Sequence, residues 1–306
     1  MNIYEVITDR ILEEMRQGRI PWRMPWTFAE GSKWNRVTGK GYSLLNCMLL
    51  RKNGEWATFK QWKDAGGEVK KGAKSRMVCF WKPYEMKDAE PIGMNEDGTL
   101  KYPVVPVLRY YNVFHIDDVE GVTAKHKSPA EELAARPEPE KHEISDRLLS
   151  DYFSREKIEV QGFTDAEFSD KACYSPTFDT IKVPNRKQFK EQAEYYSTLF
   201  HETVHSTGHS SRLNRHKFCF FGDDDYSKEE LVAELGSAFL MNQVGIEQPS
   251  TFKNSVAYLQ GWMSKLQSDP KLIVFAASQA EKAVKFIKGE IAAAKKDEVE
   301  VEAAGE

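Results

Sequence analysis

Cysteine is scarce and long apolar runs are missing from this sequence of 306 residues. The four cysteines, Cys47, Cys79, Cys173 and Cys219, show no paired spacing of the kind that marks a disulfide framework. They indicate reduced thiols and a cytoplasmic protein. No apolar run approaches the roughly 20 residues of a membrane-spanning helix, and the first residues lack a signal-peptide core. We therefore expect no membrane partner.

The composition, 41% hydrophobic and 29% charged, is that of a soluble globular protein. At this length two domains are the natural expectation. A proline-rich, charged stretch at 125–146 predicts a linker between an N-terminal domain at 1–124 and a C-terminal domain at 147–288, each able to fold alone. Residues 289–306 are charged and predict a flexible tail.

The formal net charge of −4 is unevenly distributed. Residues 1–125 carry 20 Lys and Arg against 16 Asp and Glu, and residues 33–76 carry 11 against 3. Six of the seven tryptophans lie before residue 82. Cations that follow phosphates and rings that stack on bases are typical of single-strand binding. The alternative is that the tryptophans form core and the lysines a solvated surface, but for the whole region we favour binding of single-stranded DNA.

Ten residues of this region are predicted to contact the DNA. The segment 21–26 supplies two indoles and an arginine on a backbone that its two prolines keep out of regular structure. The full predicted set is Trp22, Arg23, Trp26, Arg36, Lys40, Tyr42, Lys60, Lys70, Lys71 and Lys74.

Apolar periodicity predicts an opening helix with Ile3, Ile7, Ile11 and Met15 on one stripe. Thr58 is predicted to cap a short helix, and strands are predicted at 76–81 and 104–114. In the C-terminal half, strands at 172–176 and 180–184 predict a small sheet whose edge could hold an extended peptide. Helices are predicted near 258–266 and 272–287. The fold class is therefore α+β.

The C-terminal half contains His201-Glu202-x-x-His205, the short pattern of zinc peptidases. Residues four apart lie on one helix face, so the two histidines can hold one ion between them. Glu202 is placed to take a proton from a metal-bound water. An apolar stripe upstream supports the helix, and Gly208 lies where a left-handed residue would end it. A solvated helix with two surface histidines is the alternative; the helical context favours a metal site.

A zinc site with an open position needs a third protein ligand. Ser227 and Glu230 match a capping box, which gives Glu230 a structural role at a helix start. Glu234 then falls among buried apolar positions, where a carboxylate is costly unless it is paired or bound to metal. We predict Glu234 as the third ligand, with His209, four residues after His205, as the alternative. The expected cofactor is Zn²⁺, with another divalent metal such as Mn²⁺ as the alternative.

Short elements in both halves carry a resemblance to a known family. The N-terminal half has Pro-Trp-x-x-Pro-Trp and Thr-Gly-x-x-Tyr elements, and the C-terminal half has the histidine pattern and Glu-Glu-Leu-Val-Ala-Glu. The matching segments are 21–26, 38–46, 58–67, 113–121, 201–213 and 229–234. Over nearly its whole length the chain resembles the ArdC-type antirestriction proteins of plasmids and phages. One departure is His115, where the family pattern leads us to expect an amide-type residue.

The resemblance implies an N-terminal single-stranded-DNA-binding domain joined to a zincin-like metallopeptidase domain. It also implies that His201, His205 and Glu234 bind the metal and that Glu202 is catalytic. The implied role is to protect incoming plasmid or phage DNA from host restriction.

Three interpretations follow. The first is a DNA-bound metallopeptidase acting on an unidentified protein. The second is a DNA-binding protector whose metal site is structural or regulatory. The third is an accessory protein of DNA transfer or replication. Glu202 favours the first, because a structural site needs no base, and the second half has no primase-like carboxylate set to support the third.

Overall fold

The opening helix, α1 (Ile3–Arg16), forms where the apolar stripe predicts it. In this computed structural model, Asn2 caps the helix by accepting a hydrogen bond from the Tyr4 backbone N–H, and Ile7, Ile11 and Met15 are buried. The structure describes residues 2–17, 19–23, 33–95, 98–125, 138–162, 172–189, 191–215, 224–247 and 256–292.

A four-stranded sheet in the order β1-β2-β7-β4 is central to the N-terminal half. Strand β1 (Lys33–Asn35) runs parallel to β2 (Gly54–Ala57). Strand β7 (Val104–His115) is antiparallel to β2 and to β4 (Arg76–Glu85), and β4 and β7 contain the two strands predicted here. The remaining strands form two short antiparallel pairs, β3 (Glu68–Val69) with β8 (Val119–Glu120) and β5 (Gly93–Met94) with β6 (Leu100–Lys101).

Two short helices flank this sheet. All seven residues of α2 (Leu44–Leu50) are buried. Helix α3 (Phe59–Asp64) begins at Thr58, whose side chain accepts a hydrogen bond from the Gln61 backbone N–H, so the predicted cap is confirmed. One-turn 3-10 helices lie at Pro21–Arg23 and Ile116–Asp118.

The C-terminal half combines a small sheet with five helices among its described residues. The sheet order is β10-β11-β9, and an Asp179 backbone with φ 51° makes the turn between its antiparallel strands. The strands are β9 (Glu159–Gly162), β10 (Cys173–Ser175) and β11 (Thr180–Val183). The helices are α4 (Glu138–Glu156), α5 (Gln192–Ser206), α6 (Asp224–Val244), α7 (Val256–Ser268) and α8 (Leu272–Ile287), and a 3-10 turn lies at Arg186–Gln188. The predicted α+β class is confirmed.

One hydrophobic core runs through both halves. Helix α1 packs against α7 and α8, and α2 packs against α8. Thr8 Oγ1 donates a hydrogen bond to the Pro270 carbonyl at 2.7 Å, and the Leu44 backbone N–H donates to the Glu281 carboxylate at 3.3 Å. The two halves therefore share a packed interface, which composition did not indicate, and the expectation that each half folds alone stays a prediction.

The stretch predicted as linker is partly helical. Helix α4 begins at Glu138, inside the predicted linker at 125–146, while 126–137 lies outside the described residues. Proline is tolerated in the first turn of a helix, because the amide hydrogens there have no intrahelical partner, so Pro139 does not prevent this start. The division at 124 and 147 stays a prediction. Most of the predicted tail, 293–306, also lies outside the described residues.

Candidate metal centre

Helix α5 presents His201 and His205 on one face, as the four-residue spacing predicts. A neighbouring face is buried through Tyr196, Phe200 and Val204, which fixes the rotation of the helix. The Nε2 atoms of the two histidines lie 3.1 Å apart, and their rings are nearly perpendicular, at 80°. Both ring nitrogens therefore point to one place.

The end of α5 differs from the prediction. Gly208 does not adopt a left-handed conformation; the helix ends at Ser206, with Thr207 as a right-handed cap. Two arginines satisfy carbonyls of the last turn, since Arg212 Nε donates to Ser206 O at 2.7 Å and Arg215 Nη2 donates to Val204 O at 2.9 Å. With these partners supplied by side chains, a left-handed glycine is not needed.

The third group at the site is Glu230 of α6. Its Oε2 lies 3.6 Å from His201 Nε2, and its Oε1 lies 3.4 Å from His205 Nε2. One ligand atom from each of these three residues falls within 4.8 Å of the others. Two imidazole nitrogens and one carboxylate oxygen suit a four-coordinate divalent ion with one position open, so the donor set fits such an ion.

The predicted ligand Glu234 is not in this group, and neither is His209. Helix α6 begins at Asp224, earlier than the predicted cap at Ser227, so Glu230 lies within the helix and has no capping role. Glu234 lies one turn further along the same face, and it was predicted because it falls among apolar positions of that helix. His209 Nδ1 instead accepts a hydrogen bond from the Ser211 backbone N–H at 3.2 Å.

Close approach of α5 and α6 brings Glu230 to the histidines. A Cβ at Gly236 would lie 2.8 Å from Val204 Cγ2, so only glycine permits this helix separation. Ser237 Oγ donates a hydrogen bond to Ser197 O at 2.8 Å across the same interface.

A second carboxylate, Glu229, lies behind His205 and escaped the sequence prediction. Its Oε1 is 3.4 Å from His205 Nδ1. Arg215, also missed, donates to Glu229 through Nε at 3.0 Å and Nη2 at 2.8 Å. The only signal in the sequence was the adjacent Glu229-Glu230 pair. Neighbouring side chains on a helix point about 100° apart, so one carboxylate can face the metal centre while the other approaches His205 from the side.

The histidines and carboxylates at the site shift one another's pKa values. Burial alone would lower the pKa of His205, but contacts with Glu229 and Glu230, and the charge of Glu202, raise it to about 10. Burial would raise the pKa of the Glu230 carboxyl, but His201 and His205 hold it well below its usual range. These carboxylates favour the protonated form of His205 in the metal-free protein, and a cation that binds its Nε2 competes with that proton.

Glu202 is buried beside the histidines, with 8% of its surface exposed. A buried carboxylate next to this nitrogen and carboxylate cluster has the chemistry of a general base.

The predicted DNA-binding set divides into buried and exposed residues. Trp22 is 0% exposed and belongs to the shared core, so it cannot stack on a base. Arg36 is also buried, where it pairs with Glu55 and donates to the Thr123 carbonyl at 2.9 Å. Both predictions are wrong, because the Trp22 indole is packed in the core and the buried Arg36 guanidinium is held by Glu55, so neither can reach DNA. Trp26 and the side chain of Arg23 lie outside what the structure describes.

The remaining predicted residues lie at the surface. Tyr42 is half-buried, and the five predicted lysines, Lys40, Lys60, Lys70, Lys71 and Lys74, are exposed. Trp34, Trp56 and Trp62 are buried like Trp22, whereas Trp81 is 50% exposed. For the described tryptophans before Trp81, the core interpretation weighed above is the correct one.

Cys47, Cys79 and Cys173 are free thiols. No helix among the described residues is both long and apolar enough to cross a membrane.

Each half of the chain matches the model of a known protein family. Residues 1–114 match the family model of the N-terminal domain of anti-restriction factor ArdC, and residues 155–279 match that of a zincin-like metallopeptidase. Two Escherichia coli proteins named DNA primase TraC are each 30% identical over 91% and 93% of this chain, which spans only 19% and 27% of their lengths. An uncharacterized Sinorhizobium fredii protein, y4eC, is 27% identical over 97% of this chain and 95% of its own length.

Solved structures extend the likeness to the whole fold. The Mn(II)-bound crystal structure of the antirestriction ArdC protein from plasmid R388 has a TM-score of 0.69 and 29% identity, covering 94% of this chain and 98% of that one. The metal-free structure of that protein gives 0.68 and 31%, covering 94% and 97%. Because both halves match in the same order and over nearly the full length of each chain, this chain belongs to the family of ArdC-type antirestriction proteins.

Proposed function

We propose that this protein is a divalent-metal-dependent peptidase that binds single-stranded DNA and protects incoming plasmid or phage DNA from restriction. The observation that carries the proposal is the convergence of His201, His205 and Glu230, with Glu202 buried beside them. A purely structural site has no need of a fourth, basic group.

His201, His205 and Glu230 would hold the ion, with Zn²⁺ the expected species. The R388 ArdC protein is described with Mn(II), which supports a divalent metal in this family. When bound, the ion supplies Lewis-acid polarisation of a peptide carbonyl and acidifies water. Glu202 takes the proton of the attacking water and returns it to the leaving amine. Glu229 and Arg215 orient His205 from the side facing away from the ion.

An extended peptide is the substrate form that the site favours. Strand β10 is one of the two end strands of the described three-stranded sheet and packs near α5. A peptide could add to that edge by main-chain hydrogen bonds and present a carbonyl to the metal.

Binding of DNA is proposed for the N-terminal half. Lys40, Lys60, Lys70, Lys71 and Lys74 are exposed there and can follow a phosphate backbone. The alternative is an accessory protein of DNA transfer or replication whose metal site is structural or regulatory. The alignment with DNA primase TraC proteins favours that alternative, although the chain spans less than a third of their lengths.

One experiment separates a peptidase from a protector. Wild type and Glu202→Gln are incubated with a cell extract and single-stranded DNA, with and without a chelator, and lost proteins are identified by mass spectrometry. The proposal expects a protein lost only with metal-loaded wild type. Identical protein patterns, together with equal protection of transferred plasmid by both variants in a restricting host, would leave the site a structural or regulatory role.

A further inference from the structure

The paired strands β4 and β7 expose an aromatic face. Their antiparallel register sets Val78 opposite Tyr111 and Phe80 opposite Arg109, and directly opposed residues point to the same side of a sheet. Phe80 and Tyr111 therefore share one face, and they are 39% and 47% exposed. A contiguous group of exposed aromatic rings marks an interaction surface.

A third ring continues this face. The centroid of Tyr42 lies 6.2 Å from that of Phe80, which lies 6.1 Å from that of Tyr111. The Asn35 side chain fixes the Tyr42 ring by donating a hydrogen bond to its hydroxyl at 3.4 Å. The three rings, Tyr42, Phe80 and Tyr111, are called the aromatic platform below.

Two hollows adjoin the platform. One hollow, of about 560 Å³, is lined by Val78 and Val113 of the sheet. Lys60, Gln61 and Asp64 of α3 also line it. The other, about 450 Å³, shares Tyr42 and Phe80 and extends past Lys40 towards α8. Either volume lies within the range of small-ligand sites and is large enough for a nucleobase.

Charge around the platform is mainly positive. Lys60 and Lys40 each line one hollow, while the register places Lys82 and Arg109 on the face of Phe80 and Tyr111. The nearby acids are Asp64 and Glu281, and Glu281 is already paired with Lys285 at 2.8 Å. Four cations beside three rings are complementary to a polyanion that carries flat bases.

We propose that the aromatic platform is the stacking site for unpaired bases of a single DNA strand, with Lys40, Lys60, Lys82 and Arg109 along its phosphates. This inference rests on the proposed binding of single-stranded DNA and gives it a location. Stacking needs a free base face, which a duplex does not offer, so the platform selects single strands. The two hollows that share Tyr42 and Phe80 would accept neighbouring bases.

The test is fluorescence anisotropy of a labelled oligothymidylate with the full-length protein. Phe80→Ala and Tyr111→Ala are expected to weaken binding at least about fivefold each. Tyr111→Phe keeps the ring and should bind as wild type does. The matched control is Tyr110→Ala, because Tyr110 is 55% exposed but lies on the opposite face, across from Cys79. Melting curves verify that each variant is folded.

A second measurement uses the unaltered protein. Photocrosslinking to an oligonucleotide containing 5-iodouracil should give adducts on Tyr42, Phe80 or Tyr111, identified by peptide mass spectrometry. Tight binding by wild type with adducts elsewhere, and unchanged affinity of folded Tyr111→Ala, would overturn the platform while leaving DNA binding intact. A wild type that binds no oligothymidylate at low salt would overturn the proposed DNA function and this inference with it.

Discussion

Arg215 donates two hydrogen bonds to the Glu229 carboxylate, whose Oε1 lies 3.4 Å from His205 Nδ1. His205 turns its other nitrogen, Nε2, towards Glu230. A carboxylate on the far nitrogen of a histidine fixes the ring and its tautomer, which orients the lone pair that binds metal. Arg215 also donates to Thr207 Oγ1 at 2.8 Å, so it joins the end of α5 to the second turn of α6.

Disrupting this pair should weaken metal binding without removing a ligand. Arg215→Ala and Glu229→Gln are each expected to lower metal affinity by about 10- to 100-fold, because His205 loses its orientation. Competition with a chelating dye measures this. Arg19→Ala, which breaks a carboxylate pair remote from the site, is the control. Unchanged affinity in both site variants would show that the pair only stabilises the fold.

Metal binding should release a proton. The raised pKa of His205, about 10, keeps its imidazole protonated in the metal-free protein, and the metal takes only the neutral form. Affinity should therefore rise up to about tenfold per pH unit from neutrality towards pH 10. Calorimetry in buffers of different ionisation enthalpy counts the protons released on metal binding. If no proton is released at pH 7.5, His205 is not a protonated group that becomes a metal ligand.

The same shift affects the stability of the metal-free protein. Since the pKa of His205 is raised on folding, its contribution is fully present below its ordinary pKa of 6.5 and is lost as the pH rises towards 10. The lowered pKa of Glu230 acts in the opposite direction, and its contribution is lost only in acid, below its ordinary 4.5. Metal-free protein should accordingly melt at a lower temperature at pH 10 than at pH 7.

Gly236 sets the distance between the two ligand-bearing helices. Gly236→Ala would place a methyl group 2.8 Å from Val204 Cγ2, and such overpacking costs about 1–3 kcal/mol. Both the melting temperature and metal affinity should fall. Gly261→Ala in α7 is the matched control, because nothing lies within 4 Å of the added Cβ and alanine favours a helix by up to about 1 kcal/mol. Equal melting temperatures for the two variants would refute the packing argument.

Trp22 should behave as a core residue. Trp22→Ala is expected to lower the free energy of unfolding by about 3–5 kcal/mol, since the ring is fully buried in the shared core. Trp81→Ala, at a half-exposed indole, should cost much less. Denaturant titration compares them. A stable Trp22→Ala protein with weakened DNA binding would restore the original DNA-contact prediction.

Much of the secondary structure could be predicted because it depends on local signals. The apolar stripe of α1, the Thr58 cap and the apolar and aromatic content of β4 and β7 can all be recognised from neighbouring residues. The packing of α1 and α2 against α7 and α8 joins residues more than 200 positions apart. Composition gave no sign of that contact, so the halves were expected to fold alone and Trp22 was expected at the surface.

The approach of the two histidines could be predicted from the sequence, whereas the carboxylate that lies beside them, Glu230, could not. The spacing of His201 and His205 determines their common face, whatever lies beyond the helix. Choosing between Glu230 and Glu234 required the start of α6, because the two differ by one turn on the same face. Arg215 lies in the irregular segment after α5. No helical or strand spacing connects it with Glu229, so the sequence did not indicate their contact.

Metal content of three variants tests the central claim most directly. Purified Glu230→Ala, Glu234→Ala and Glu202→Gln are loaded with Zn²⁺, dialysed and measured by elemental analysis. The account predicts that Glu230→Ala loses stoichiometric metal, because a ligand is gone, while Glu234→Ala and Glu202→Gln retain about one ion per chain. Full metal in Glu230→Ala together with loss in Glu234→Ala would contradict it and return the third ligand to Glu234.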